Sequence, residues 1–393
     1  MLSEAVRAHL ATRLPDDAPH FALAYSGGGD SLSLLAALKD HPGLKAVLHV
    51  DHGLRDSSER EAAMAGLLAS QYGWDVTVLT WHPYEPPKTG LQAKARRARY
   101  QLMGDYCRRH RLDHLVTAHH ADDQAETVLM RLDRGSGWRG AAGMQSRRYG
   151  AVWPELAGIT LVRPVLSISR EALRASTQAL SPIEDPSNRD IRFNRIRTRH
   201  YLASRPDVRA DMLALSADMQ AGLARDREHM RRQLRDYHLS HEGLLSVPRL
   251  IDAPTLAALA PIIGGQAGPP DRSRIAAHLT SLSAQSRLAI GHGCLAQWDG
   301  QRLTLSRDPV AMTGRQDGRQ PPTAIRQEIG SAPIVWDGRF LLRGGGGIIQ
   351  PERRGHHVGY RILYGRDVRI DNLVDRRLQA LLHGSNPKDV SAT

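Results

Sequence analysis

Ser26-Gly27-Gly28-Gly29-Asp30-Ser31 has the residue types and order best suited to chemistry in this chain. Contiguous glycines remove the Cβ atoms that would keep a phosphate away from the backbone, and the two serines add hydroxyl donors. Residues 21–25 before the run are apolar and read as a buried strand, and residues 32–38 after it have helical character. A glycine turn between strand and helix gathers backbone N–H groups at the positive end of a helix dipole, an arrangement that binds phosphate. The Walker loop is excluded, because Asp30-Ser31 stands where Gly-Lys-Ser/Thr is required. The dinucleotide fingerprint fits poorly, because its glycines are spaced, although Asp51 lies at about the distance of its acid. The plainer reading is a flexible turn with Asp30 as a helix cap.

A second run, His119-His120-Ala121-Asp122-Asp123-Gln124-Ala125-Glu126-Thr127, follows another apolar segment. If Ala121 onward is helical, Asp122 and Asp123 lie four and three residues before Glu126, so the acids share one side. Zinc held by histidine and carboxylates lacks the H-E-x-x-H order. Mg²⁺ on the carboxylates with nucleotide phosphates completing its shell is a second reading, and capture of a substrate ammonium is a third. An acidic first helical turn favoured by the dipole is the plain alternative.

Basic residues concentrate in two places. Residues 89–110 carry Lys94, Arg96, Arg97, Arg99, Arg108 and Arg109, with Arg96 and Arg99 on one helix face. Residues 189–199 contain five arginines, of which Arg192, Arg195, Arg197 and Arg199 are the best candidates for RNA contact. The whole chain has 53 Lys and Arg against 41 Asp and Glu, a formal charge of +12 that favours a polyanionic partner. Only three Phe are present, which argues against a base-stacking sheet. Two distant cysteines, Cys107 and Cys294, argue against a disulfide framework, a structural zinc or an iron–sulfur cluster. No apolar window approaches membrane-spanning length and the first residues lack a secretory profile, so a cytoplasmic protein without a membrane partner is expected.

These groups need a scaffold, and residues 21 to about 180 alternate strand and helix. Strands are expected at 45–51, 75–81, 113–119 and 159–163, with helices at 57–72, 89–110 and 121–134. Such alternation means an α/β fold, a Rossmann-like parallel sheet with helices on both faces, whose ligands bind beyond the strands' carboxyl ends. Beyond Arg205, Met212, Leu215, Met219, Leu223, Met230 and Leu234 mark an amphipathic helix, and helical texture persists to about 283. Hairpins with Asp-Gly turns are expected at 295–305 and 334–342, separated by a linker at 308–322. Residues 344–347 are low-complexity glycine.

As a set, the motifs resemble the tRNA(Ile)-lysidine synthases, a family of N-type ATP pyrophosphatases. They comprise Ser26 to Ser31, Val50-Asp51-His52-Gly53-Leu54-Arg55, residues 95–100, His119 to Thr127, Arg134-Gly135-Ser136-Gly137 with Gly140 and Gly143-Met144, Arg163-Pro164, and Glu184-Asp185-Pro186-Ser187-Asn188. The resemblance is specific over residues 20–200 and weak beyond. It implies an adenine nucleotide α-hydrolase-like catalytic domain over 1–205, a mainly helical tRNA-binding extension over 206–310, and a short C-terminal region with strands over 311–393. It implies a ligase that uses ATP and Mg²⁺ to adenylate the wobble cytidine of tRNA(Ile) with a CAU anticodon, then joins free L-lysine to it. Ser26, Gly27, Gly28, Gly29, Asp30 and Ser31 would hold the outer phosphates and Asp30 would help position Mg²⁺. Val50, Asp51 and His52 would lie near the adenosine, and Arg99 and His119 at the α-phosphate. Asp123 and Glu126 would bind the lysine ammonium. A homodimer is a further implication. A tRNA thiolase on the same loop and a non-catalytic tRNA-binding protein are the alternatives.

Overall fold

The computed structural model describes residues 4–14, 17–53, 58–81, 90–175, 194–267, 272–280, 284, 287–313, 327–329, 332–344, 347–354, 357–363 and 368–384. Contacts divide the chain into two compact units. The first comprises Met1–Arg148 and Ile159–Arg225, and the second Tyr149–Gly158 and Asp226–Thr393.

The first unit runs α1 (Glu4–Arg13), β1 (Phe21–Ala24), α2 (Gly29–Leu38), β2 (Leu44–Asp51), α3 (Ser58–Ser70), β3 (Val76–Thr80), α4 (Leu91–Arg109), β4 (His114–Val116), α5 (Ala121–Asp133), α6 (Trp138–Ala141), β5 (Arg147–Tyr149), β6 (Thr160–Val162), α7 (Arg170–Arg174), α8 (Asn194–Ala203) and the start of α9 (Pro206–Gln233). Its sheet has the order β3-β2-β1-β4-β6-β5. The pairs β1–β2, β2–β3, β1–β4 and β4–β6 are all parallel. The chain therefore moves outward from β1 through β2 to β3, then returns to place β4 on the other side of β1. Helices α2 and α3 share one buried cluster with β1 and β2, and the right-handed rule for such crossovers assigns α4 to the opposite face. The reversal between β1 and β4 is the switch point where α/β sheets bind ligands. This is the Rossmann-like α/β fold expected.

Burial explains why these segments became strands and helices. Phe21, Leu23, Leu32, Leu34, Leu35, Val47 and Val116 are fully buried in one cluster, so β1 and β2 read as near-continuous apolar runs. On α2, Ser33 lies in the same interior, and its hydroxyl donates to the Gly29 carbonyl at 2.8 Å. Strand β3 alternates partly buried and exposed residues, as an edge strand should.

The second unit is more strand-rich than the sequence texture indicates. After α9 come β7 (His238–Leu239), β8 (Leu245–Val247), α10 (Ala253–Ile263), α11 (Arg272–Thr280), β9 (Arg287–Gly291), β10 (Cys294–Trp298) and β11 (Leu303–Arg307). These strands form a five-stranded sheet in the order β7-β8-β11-β10-β9. The expected helical run to about 283 is thus interrupted by β7 and β8, which are too short for periodicity to register. The rest is α12 (Pro309–Thr313), β12 (Gln327–Ile329), β13 (Ile334–Trp336), β14 (Phe340–Arg343), β15 (Gly347–Arg354), β16 (His357–Leu363), β17 (Arg369–Asn372) and α13 (Leu373–His383).

Both expected hairpins form, β10 with β11 and β13 with β14. In the second, Asp337 and Gly338 have φ of 52° and 61°, the left-handed backbone of a tight hairpin turn. The expected linker begins instead as α12, with Asp308 accepting from the Val310 N–H at 2.9 Å, and its residues 314–322 lie outside the described ones. Of the glycine run 344–347, Gly347 opens β15. Among the described residues, no helix is long and apolar enough to cross a membrane.

Leu35→Ala empties a fully buried position on the helix that follows the glycine loop. It should destabilise the first unit by about 2–5 kcal/mol, read as a lower urea midpoint at unchanged slope.

Candidate active site

The glycine loop joins β1 to α2 at the switch point. Gly28 caps α2 in extended conformation (φ −72°, ψ 158°) without a side-chain bond, which leaves the first-turn N–H groups directed at the space before the helix. Gly27 has φ 78°, where an L side chain would be strained. The two serines clasp the loop: Ser31 Oγ accepts from the Ser26 N–H at 3.2 Å, lies 3.1 Å from Ser26 Oγ and donates to the Gly28 carbonyl at 3.0 Å. The expected strand–loop–helix geometry is present.

Asp30, in the first turn of α2, meets three cations. Arg174 Nε donates to Oδ1 at 2.6 Å and Arg170 Nε at 3.4 Å, while His120 Nε2 lies 3.7 Å from Oδ2. Burial opposes its ionisation, but the bonds from His120 and Arg174 prevail and hold it well below the usual carboxylate range. Gly29 lies under Arg174: a Cβ there would approach the guanidinium carbon to 2.9 Å.

His120 caps α5 and is buried, with a side-chain exposure of 2%. Its Nδ1 lies 3.5 Å from Asp122 Oδ2 and its Nε2 3.4 Å from Asp123 Oδ2. Desolvation favours the neutral ring, but Asp122, Asp30 and Asp123 together raise its pKa to about 9. As an imidazolium it donates from both nitrogens, so the 3.4 Å approach of the Asp123 N–H to Nδ1 is a contact and not a bond. Asp122 also accepts from Arg209 Nη1 at 2.6 Å and from the Arg170 N–H at 2.8 Å. With the His120 bond as the largest cause, these hold Asp122 well below its usual range.

Asp123 and Glu126 face α8. Arg195 donates to Asp123 Oδ1 and to Glu126 Oε2, both at 2.8 Å, and Arg199 Nε donates to Glu126 Oε1 at 2.7 Å. The acids are nearly inaccessible, at 12% and 2% side-chain exposure, while the arginines reach solvent at 39% and 29%. The helical spacing of the acids is as expected. Two of the four arginines picked as RNA contacts are thus engaged with the acids picked for an ammonium. Arg197 is on the exposed side of α8 with Asn194, and Arg192 lies outside the described residues.

The remaining expected residues lie at neighbouring strand ends. Asp51 is buried at the end of β2 and accepts from the Gly53 N–H at 2.8 Å. His52 follows, with Arg99 Nη2 3.1 Å from its Nε2. Burial, and then Arg99, lower the His52 pKa to about 4. Neutral and accepting at Nε2, His52 carries its proton on Nδ1. His119 is half-buried with Nδ1 2.8 Å from Thr117 Oγ1 and is kept neutral mainly by burial. Leu54, Arg55 and residues 184–188 lie outside the described residues. The glycine-rich loop beyond α5 is pinned by Gln124, which donates to the Met144 carbonyl at 3.0 Å, and by Arg131, which donates to the Gly143 carbonyl at 2.8 Å.

Sequence reading missed His120 as the linking group, and Arg170, Arg174 and Arg209 altogether. Arg170 and Arg174 carried a usable signal: they are four apart, shortly after the carboxyl end of a strand. Among the described residues no cluster of three or more His, Cys, Asp or Glu suits a metal ion. A single carboxylate at a phosphate loop, as Asp30 provides, does fit Mg²⁺, which takes one or two carboxylates together with substrate phosphates.

The His120 proton has a consequence for stability. The fold raises its pKa from 6.5 to about 9, so its contribution is complete below about pH 6.5 and is lost as pH rises through about 9. In metal-free buffer the Tm should fall between pH 7 and 9.5, and His120→Gln should flatten that decline. A variant with an undiminished decline would place the titrating group elsewhere.

A family model described as a PP-loop domain matches residues 2–205. The tRNA(Ile)-lysidine synthase of Ruegeria pomeroyi is 36% identical over 355 residues, covering 86% of this chain and 80% of that protein. That of Methylobacterium nodulans is 34% identical over 333 residues, covering 76% and 94%, and that of Brucella ovis 33% over 393, covering 91% and 81%. With a phosphate loop at the switch point and relatives aligned along most of their length, this chain belongs to the tRNA(Ile)-lysidine synthase family of PP-loop proteins.

Proposed function

We propose that this chain is a tRNA(Ile)-lysidine synthase, a ligase that uses ATP to join free L-lysine to C2 of the wobble cytidine in the CAU-anticodon tRNA(Ile). The observation that carries this reading is the continuous polar network from the phosphate loop to the acid pair. Asp30 touches His120, His120 touches Asp123, and Arg195 bridges Asp123 to Glu126. Nucleotide activation and amine delivery can thus occur within one crevice.

In the first step the cytidine O2 attacks the α-phosphorus of ATP, the bond to the β-phosphate breaks, and pyrophosphate leaves. First-turn N–H groups of α2, with Ser26 and Ser31, hold the outer phosphates. Asp30 is the residue to hold Mg²⁺, which when bound offsets phosphate charge. His52 and Asp51 border the adenosine, and Arg99 and His119 stabilise charge at the α-phosphate. In the second step the lysine ε-amine attacks C2 and AMP leaves. Asp123 and Glu126 orient the amine and one of them takes its proton. Lysine reaches these acids by displacing Arg195 and Arg199, whose guanidiniums occupy the place of its ammonium. Arg197 and Arg192 then remain as the α8-side candidates for the tRNA backbone, and residues 206–310 as the larger tRNA-binding part.

The thiolase alternative is disfavoured by the two cysteines. Both are buried, and burial pushes the Cys107 thiol up to about 12 and Cys294 higher still, so neither offers a thiolate. A non-catalytic tRNA binder would have no use for buried acids coupled to a phosphate loop.

Incubation with labelled lysine, ATP and tRNA transcripts should label the CAU isoleucine transcript alone; sulfur-dependent or absent modification would reject the reading. Glu126→Gln should lower lysine transfer by at least 100-fold while ATP-dependent adenylation of the RNA survives. Equal loss of both steps would refute the assignment of the acids.

A further inference from the structure

The cations on α7 are not needed to build the sheet, yet they converge on the phosphate loop. Arg174 and Arg170 bond the same Asp30 oxygen, at 2.6 and 3.4 Å. The Arg174 guanidinium lies against Gly29, close enough that a Cβ there would require it to shift. Both side chains remain partly open to solvent, at 37% and 38% exposure. Beside them is a cavity of about 340 Å³, lined by Asp122, Ser169, Arg170, Glu171, Arg174 and Arg209. That volume is within the range of small-ligand clefts. Its acids face three guanidiniums, and Asp122 is already engaged by Arg209 and His120.

We propose that Arg174, assisted by Arg170, directly binds the outer phosphates of the nucleotide and holds the pyrophosphate after it leaves. The proposal rests on the glycine loop being the phosphate site. In the resting state Asp30 occupies the Arg174 guanidinium, and an arriving diphosphate competes for it at the same first turn of α2. A guanidinium offers a fork of donors that matches phosphate oxygens, so it can move from carboxylate to phosphate with little displacement. Its position against Gly29 and Asp30 keeps it at the first turn of α2, where the backbone N–H groups lie.

Isothermal titration of the full-length protein with inorganic pyrophosphate, and separately with AMP, tests the assignment. Arg174→Ala should weaken pyrophosphate binding about 10-fold or more and Arg170→Ala by less, with AMP affinity within twofold of wild type. Arg174→Lys should recover part of the loss. Removing Arg174 also takes the nearest cation from Asp30, so the same change is made in an Asp30→Asn background. A loss that persists there reports direct contact, whereas one that vanishes reduces Arg174 to a neutraliser of Asp30 and overturns the proposal. Pyrophosphate affinity within twofold of wild type in both alanine variants overturns it as well. Wild-type protein that takes AMP but no pyrophosphate would instead remove the phosphate role of the loop, and this proposal with it.

Discussion

The Asp30 carboxylate is the pivot of the catalytic unit. A carboxylate partly withdrawn from water at the start of a helix needs cations, and it draws them from two different elements, α7 and the cap of α5. From there the charges alternate through the interior: arginine, Asp30, the His120 imidazolium, Asp122 and Asp123, Arg195, Glu126 and Arg199. Each buried charge has an opposite neighbour within 4 Å. An unpaired ion in such an environment is strongly unfavourable, and the doubled partners of Asp30 and Glu126 keep each compensated if one cation is lost. The network ties α5, α7 and α8 to one another and to the glycine loop.

Topology explains why these groups meet. The glycine loop follows β1 and the His119–His120 pair follows β4, and these strands are adjacent and parallel although some 90 residues separate them in sequence. Residues at the carboxyl ends of neighbouring parallel strands face the same crevice. The arginines of α8 reach that crevice from the far end of the unit, and the half-buried His52 with Arg99 borders it from β2 and α4.

Most of the catalytic fold was legible because its parallel strands alternate with long helical segments, and the central β1 and β2 are buried apolar runs. The glycine loop was legible for the same reason, since its function is written in the backbone. What escaped was pairwise and long-range. Arg195 and Arg199 looked like exposed RNA contacts because an arginine-rich helix usually is, and no local pattern reveals that two of its arginines point inward to Glu126. His120 and His119 are indistinguishable in sequence; the difference arises because His120 begins a helix among three carboxylates while His119 turns to Thr117. In the second unit, β7 and β8 were hidden by their length; β8 pairs with the longer β11, and β7 in turn with β8.

The occupation of Asp123 and Glu126 by guanidiniums bears on how discriminating this pocket can be. On the proposed route one ammonium would take the place of two guanidiniums, so the acids would keep a positive partner throughout, although one fewer than at rest. The affinity of that ammonium would then be a difference between competing ion pairs and not the full strength of one. A site working in this way would be modest in grip but strict in kind, since a neutral analogue brings no cation to the trade.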